Sequence, residues 1–136
     1  MVAVDKKDEQ IKTYGLDRIT EVVPGKRKFS PPENFNLEEM FHNCFGIITP
    51  NEDNPVKIVL SFDVQQGKYI ESMPLHHSQQ LLLSNEHEFR ISLFMNLTFD
   101  FLMELHSYGS KLKVLEPKSL IKTIKKELQA TLALYD

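Results

Sequence analysis

The chain has 136 residues, of which 41% are hydrophobic and 26% charged, and its formal net charge is -3 at pH 7. This length suits one ordinary core, or one small domain with a further short segment, and the composition is typical of a folded globular protein. The acidic balance argues against nucleic-acid binding through bulk charge alone, although a local basic face is compatible with it.

Membrane and secreted classes are also disfavoured. No apolar run approaches the roughly 20 residues that a membrane-spanning helix requires, and acidic residues follow the start too early for a signal peptide. Cys44 is the single cysteine, so no internal disulfide can form, as is usual in a reducing compartment. We therefore expect a cytoplasmic protein without a membrane partner.

The first 30 residues predict a β-hairpin. Residues 1–4 are apolar, residues 5–10 form a charged turn, and residues 11–23 are mostly apolar again. A two-stranded hairpin alone is only marginally stable in water, so we expect this segment to need a partner. Lys26-Arg27-Lys28 could contact nucleic acid, but a solvated linker is the more ordinary interpretation, and Pro31-Pro32 predicts an extended chain.

A short helix is predicted from Asn36. Glu39 follows Asn36 at the spacing of a capping box, and Gly46 suits a left-handed end. The apolar stripe of this helix consists of Leu37, Met40, Phe41 and Cys44.

Residues 56–62 predict the central strand, because apolar and other residues alternate there with a period of two. A helix over 63–73, strands over 79–83 and 89–95, a helix over 98–108 and a strand over 111–115 follow. The 98–108 helix is expected to bury Phe99, Leu102 and Leu105, with Phe101 as a further candidate. A last helix after Pro117 carries an apolar stripe: Leu120/Ile121, Ile124, Leu128, Leu132 and Tyr135.

The order βαββαβ predicts an α+β fold, a ferredoxin-like sandwich with an extra C-terminal helix and a preceding β-hairpin. The predicted partition is residues 1–30, a linker with a short helix over 31–54, and a ferredoxin-like domain over 55–136.

Three stretches of the chain resemble a known family. They are KTYGLDRI at 12–19, NLEEMFHNCFGI at 36–47, and PLHHSQ at 74–79 together with YGSKLKVLEPKSL at 108–120. In this order they resemble the C-terminal part of WYL-domain transcriptional regulators. The V-L-E-P-x-S-L motif is the most specific of these likenesses.

The resemblance implies that residues 1–30 are the C-terminal remnant of an Sm-like WYL barrel and that residues 55–136 are the family's C-terminal extension. It implies a bacterial regulator whose helix-turn-helix, the part that contacts operator DNA, is missing from this fragment. In the family, the barrel senses an effector, in several cases single-stranded nucleic acid, and the extension serves dimerisation and ligand closure. For this chain, single-stranded nucleic acid or a nucleotide is the expected effector. A homodimer is therefore expected.

Two candidate ligand contacts lie in the N-terminal segment. Arg18 matches the arginine of the family's D-R-I triplet and could pair bidentately with phosphate. The alternative is a surface ion pair with Asp17. Lys12 stands where the family often has arginine, and a lysine lacks the planar fork of that side chain.

Three more candidates follow from strand parity. Lys57, Arg90 and Lys113 are predicted on the sheet face that points away from the helices, together with Phe94. Basic side chains beside an aromatic ring are the arrangement that RNA-binding sheets use. The same face would also carry Val59 and Leu115, and this apolar patch favours a protein interface over nucleic acid.

The remaining reactive residues predict no enzyme. The neighbours His76-His77 diverge in extended structure and lack zinc spacing, so His76 is assigned a structural role. Ser78, Asp100 and His106 lack a nucleophile elbow, and Cys44 lies on an apolar helix face. We expect no catalytic residue, metal or cofactor. The alternative functions are a free-standing ferredoxin-like small-molecule-binding domain or a small enzyme, with an RNA-binding sheet as a minor third.

Overall fold

The computed structural model describes residues 1–26, 28–30, 35–50, 52 and 54–135. The chain divides into two compact units, Met1–Leu37 and Glu38–Asp136. Arg27 of the basic triplet and the Pro31-Pro32 linker lie outside the described residues. None of the described helices is long and apolar enough to cross a membrane.

The first unit contains a β-hairpin, which confirms the prediction. Strands β1 (Val2–Val4) and β2 (Ile11–Thr13) pair antiparallel. The second strand is much shorter than the apolar stretch 11–23, because a 3-10 turn, Leu16–Arg18, follows it. The backbone amide of Tyr14 donates to the Met1 carbonyl at 2.7 Å, and the Met1 amino group donates to the Tyr14 carbonyl at 2.8 Å.

The second unit begins within a short helix, α1 (Leu37–Phe41). It contains a four-stranded antiparallel sheet. Its strands are β3 (Val56–Phe62), β4 (Gln80–Ser84), β5 (Phe89–Met95) and β6 (Leu112–Glu116), in the spatial order β4-β5-β3-β6. Helix α2 (Val64–Ser72) joins β3 to β4, and helix α3 (Phe99–Ser107) joins β5 to β6. This is the predicted ferredoxin-like arrangement, and helix α4 (Lys118–Leu132) follows it.

The core lies on one face of this sheet. Alternate residues of β3 and β5 are buried there, as the period-two pattern predicted, and helices supply the rest of the core. Its buried members are Ile58, Leu60, Phe62, Ile70, Phe89, Ile91, Leu93, Met95, Phe101, Leu105 and Leu120.

A close approach of α2 to β5 requires a glycine. Gly67 is buried in the middle of α2, and a Cβ atom at this position would collide with the side chain of Phe89. Glycine ordinarily weakens a helix by about 0.5–1 kcal/mol. Here it permits tight packing, while Asp63 caps the helix by accepting a 2.6 Å hydrogen bond from the Gln66 amide.

Two details of the predicted core are wrong. In α3, Phe101 is fully buried while Phe99 is 65% exposed. Two residues turn a helix by roughly 200°, so the two rings cannot both face the sheet. In α4, Leu120 is buried and Ile124 packs on the core, but Leu128, Leu132 and Tyr135 are exposed. At roughly 1.5 Å per residue, 15 helical residues are longer than the five-residue strand beside them.

Hydrogen bonds join Asn43 and Asn54 to Asn96, the residue after β5. The Asn96 amide donates to the Asn43 carbonyl at 2.8 Å, and the Asn54 amide donates to Asn96 Oδ1 at 2.9 Å. Gly46 has the predicted left-handed conformation, with a φ of 73°, but the prediction that it ends the helix is wrong, because α1 already ends at Phe41. The predicted partition at residues 31 and 55 stays a prediction.

Candidate functional site

Arg90 and Lys113 flank Ser61 on the outer face of the sheet, the face opposite the core. Both are paired in register with Ser61 of the central strand, Arg90 from β5 and Lys113 from β6. Residues opposite each other on neighbouring strands point to the same face. The sheet therefore brings these two predicted basic residues together across three adjacent strands.

Glu88 occupies the fork of Arg90. Its Oε2 atom accepts from Ser61 Oγ at 2.5 Å and from Arg90 Nε at 3.2 Å, and its Oε1 atom contacts Arg90 Nη2. The hydrogen bond from Ser61, and then that from Arg90, lowers the pKa of Glu88 below its ordinary value. An anion that binds Arg90 must therefore compete with this carboxylate.

Lys57 lies at the other end of β3, opposite Phe94 of β5. Its Nζ atom is 3.8 Å from Glu116 Oε2, and both side chains are well exposed. Phe94 is 53% exposed, whereas Val59, which lies between Lys57 and Ser61 along β3, is only 5% exposed. The predicted apolar patch is thus smaller than expected, because Val59, in the middle of the outer face, is buried.

Lys12 joins the two ends of the hairpin turn. Its Nζ atom donates to Asp5 Oδ2 at 2.8 Å and to Asp8 Oδ2 at 2.6 Å. These hydrogen bonds, with Asp5 the stronger cause, raise the pKa of Lys12 above its ordinary value, and they lower the pKa of both aspartates. The ammonium group already has two anionic partners within its own unit.

Arg18 is held much less tightly. It ends the 3-10 turn Leu16–Arg18, and its side chain is 88% exposed. The ion pair with Asp17 is long, with 3.9 Å between Arg18 Nε and Asp17 Oδ2. The planar fork of this guanidinium group is therefore accessible to a ligand.

A histidine cluster binds the segment after α1 to the loop before β4. The Nε2 atoms of His76 and His77 lie 3.0 and 2.7 Å from the carbonyl oxygen of His42. The Ser78 amide donates to Nδ1 of His76, so Nε2 carries the proton and His76 is neutral. Burial, and then the charge of His77, lowers the pKa of His76.

Metal ligation finds no support in this cluster. Within the described ranges, no three His, Cys, Asp or Glu side chains are arranged to hold a metal ion. The hydrogen bonds of His76 instead agree with the structural role that the sequence analysis assigned to it.

A groove of about 380 Å³ lies between α4 and the sheet edge at β6. Apolar side chains form most of it, including Leu112, Val114 and Ile124, with Lys113 and Lys125 at its border. Its size lies at the lower end of small-molecule pockets.

The family of the chain follows from residues 54–132, which match the model of the WCX domain, the WYL C-terminal extension. This range is more than half of the 136 residues. The chain belongs to the WCX family. The resemblance to the C-terminal part of WYL-domain regulators is therefore confirmed for this region, and the family is generally non-enzymatic.

Among solved structures, the WCX chain is similar to Proteasome accessory factor B/C (PafBC) of Arthrobacter aurescens. The identity is 24% and the TM-score 0.41, over 95% of this chain and 19% of that chain. The chain thus spans only about a fifth of that protein's length. No protein with curated annotation matches it.

Sequence reasoning missed two features of this WCX protein. The first is the hydrogen bond between Glu88, in the turn before β5, and Ser61, which lies 27 residues earlier. The residues around Glu88 do not indicate this contact. Exposed lysines on one side of α4 were also missed, because only the apolar period of that helix was followed. Their spacing of three and four residues would have identified them.

Proposed function

We propose that this chain is the effector-sensing and dimerisation region of a bacterial WYL-family transcriptional regulator, and that it catalyses no reaction. The match of residues 54–132 to the WCX domain is the observation that carries the proposal. We place the regulator in the cytoplasm and its operator-binding helix-turn-helix outside these 136 residues.

The effector in this proposal is a single-stranded nucleic acid or a nucleotide, and Arg18 is its main phosphate contact. The exposure of Arg18 and its long ion pair with Asp17 support this role, because an accessible guanidinium group can bind phosphate through two parallel hydrogen bonds. Lys12 is a weaker auxiliary, since it must share its charge with Asp5 and Asp8.

The outer face of the sheet supplies a second anchor. Arg90 and Lys113 together present two cations to an anion, and phosphate binding there exchanges with Glu88. Lys57 lies beside the exposed ring of Phe94, which supports a base-stacking contact next to a phosphate contact.

Self-association completes the proposal. None of the described residues of the first unit is buried, and strand edges without partners tend to pair with another chain. Exchange of the N-terminal hairpin between two copies would bury this surface at low cost. Light scattering should show a dimer at tens of micromolar protein, which is on the order of the dissociation constant of a modest interface. A monomer at this concentration would contradict the proposal.

The effector is best tested in the full-length regulator. A thermal-shift series with short single-stranded DNA, single-stranded RNA and nucleotides should identify the ligand class. With that ligand, Arg18→Ala should weaken binding by about 1.5–3 kcal/mol and reduce the log–log salt slope by about 0.7. Arg18→Lys, which keeps the charge and removes the fork, is the matched control and should keep the slope. Equal affinity and slope in wild type and Arg18→Ala would refute the role.

A small-molecule-binding function is the second candidate, and the groove between α4 and β6 is the observation that favours it. In that case apolar small molecules should raise the melting temperature of the chain while oligonucleotides do not. Ile124→Asp, which places a charge in the groove, should abolish that shift.

A further inference from the structure

Helix α4 presents four lysines on one exposed face. Lys122 lies four residues after Lys118, and Lys125 and Lys126 lie three and four residues after Lys122; all four are exposed. Residues at this spacing lie on the same side of a helix. No ion pair joins any of them to a carboxylate in the part of the chain that the structure describes.

The single acidic residue of α4 does not neutralise this face. Glu127 lies on the opposite side of the helix, and its Oε2 atom is 2.5 Å from Nε2 of His106 in α3. It is also not three or four residues away from any of the four lysines, so no intrahelical pair forms.

This arrangement is unfavourable for the isolated helix. Lys118 lies in the first turn, at the positive end of the helix dipole, where α4 has no acidic residue and where a cation is destabilising. Lys122 has like-charged neighbours four residues away on both sides, at Lys118 and Lys126, and such pairs also destabilise a helix. An anionic partner would remove this repulsion.

We propose that the lysine face of α4 binds the phosphate backbone of double-stranded DNA without regard to base sequence. The face is a straight row of about 12 Å, from eight residues at 1.5 Å each, and its charge is complementary to a row of phosphates. This inference goes beyond the proposed effector site, because it uses other residues and another form of nucleic acid.

Two observations favour duplex DNA over other anionic partners. Residues 118–132 contain no aromatic side chain, whereas single-stranded binding relies on bases stacked on aromatic rings. The apolar side of the helix is engaged through Leu120, which is 1% exposed, and through Ile124. Beside the lysines, this side is therefore not free to enter a lipid surface as a membrane-bound amphipathic helix requires, although Leu128 and Leu132 farther along are exposed.

Such contacts would position the regulator on DNA without specifying sequence. Sequence-independent binding of this type has a dissociation constant of about 10⁻⁴ to 10⁻⁶ M and depends steeply on salt. This chain, whose net charge is -3, would then bind duplex DNA through this local face and not through its bulk charge.

The test titrates the 136-residue chain with a 30-base-pair duplex of arbitrary sequence, with a 15-nucleotide oligo(dT), and with vesicles of anionic phospholipid. The variant is Lys122→Gln/Lys125→Gln/Lys126→Gln. The control is Lys6→Gln/Lys68→Gln/Lys111→Gln, which removes the same charge from three other exposed lysines. Glutamine and lysine have similar helix propensity, so equal melting temperatures should show that all three proteins fold.

Wild type and control should bind the duplex at 50 mM salt and lose about 100-fold in affinity by 200 mM, as four phosphate contacts imply. At 50 mM salt the α4 variant should bind the duplex at least tenfold more weakly than the wild type. Between 50 and 200 mM salt the variant's own affinity should fall only about threefold to fourfold, as one remaining phosphate contact implies.

Three results would overturn the proposal. One is absence of saturable duplex binding by the wild type at 50 mM salt, and another is an equal loss in the control variant. The third is lysine-dependent binding to vesicles or oligo(dT) with none to the duplex. Failure of Arg18→Ala to affect the effector would leave these results unchanged, so the two proposals fail separately.

Discussion

The two units of the chain hold their strands together by different means. In the second unit, Ile58 and Leu60 of the central strand are completely buried beneath two helices. In the hairpin unit no described residue is buried, and its ordering contacts are ion pairs and hydrogen bonds around Lys12. A hydrophobic core stabilises far more than exposed ion pairs do. The second unit therefore has the means to fold alone, and the hairpin is stabilised much more weakly, by its own polar contacts.

The largest expected effect tests the core of the second unit. Phe101→Ala should lower the free energy of unfolding by about 3–5 kcal/mol, because it removes a fully buried ring and leaves a cavity. Phe99→Ala is the matched control, two residues earlier in the same helix and 65% exposed, and should cost less than about 1 kcal/mol. Urea denaturation measures both, and equal losses would contradict the burial described.

A smaller effect compares a glycine from each unit. Gly67→Ala should destabilise the second unit by about 1–3 kcal/mol, because the added Cβ atom overpacks against Phe89. Gly25→Ala meets no atom within 4 Å and needs no positive φ, so it should be neutral or slightly stabilising. Thermal unfolding measures the two variants. Stabilisation by Gly67→Ala would mean that helix propensity outweighs the contact.

The core of the second unit shows how much of the fold the sequence could predict. The alternation of apolar residues over 56–62 and 89–95 was sufficient to predict these two strands and the face of the sheet that carries the core, since only one of the two alternating sets is apolar throughout. It was insufficient for α3, where Phe99 and Phe101 are equally apolar and only the position of the sheet decides which one is buried. The role of Gly67 could not be predicted, because it depends on a side chain 22 residues later, that of Phe89.

The candidate site was less predictable than the fold. Strand parity placed Arg90 and Lys113 on one face, and the register then set them on either side of Ser61. Their carboxylate partner Glu88 depends on a turn conformation that parity does not describe. The Lys12 contacts with Asp5 and Asp8 likewise depend on the geometry of the hairpin turn, where the sequence indicated only a charged turn.

The next prediction concerns the histidine cluster of the second unit. Burial keeps His76 neutral, and its pKa in the folded protein is lower than in the unfolded chain. As pH falls below about 6.5, the unfolded chain takes up a proton first, so stability present above this pH is lost as pH falls towards the folded pKa. The slope is at most about 1.4 kcal/mol per pH unit for one proton.

Denaturation at a series of pH values checks this effect. His76→Ala should remove the slope between pH 6.5 and 5, whereas His87→Ala should keep it, because the His87 side chain is 81% exposed. The same slope in His76→Ala as in wild type would assign the proton to another group.

The smallest effect belongs to the hairpin, where acid should loosen the turn while the second unit stays folded. The pKa values of Asp5 and Asp8 are lowered by Lys12, so their contribution is complete above about pH 4 and is lost as pH falls through their folded pKa values. Lys12 has a raised pKa and stays charged throughout this range. Amide hydrogen exchange of Glu9 and Tyr14, whose N–H groups bond across the hairpin, should therefore accelerate below pH 4 relative to the amides of β3. Lys12→Gln should already show the faster exchange at pH 7. Loss of protection in both units at one common pH would instead mean that the hairpin is stabilised by the fold of the second unit rather than by its own ion pairs.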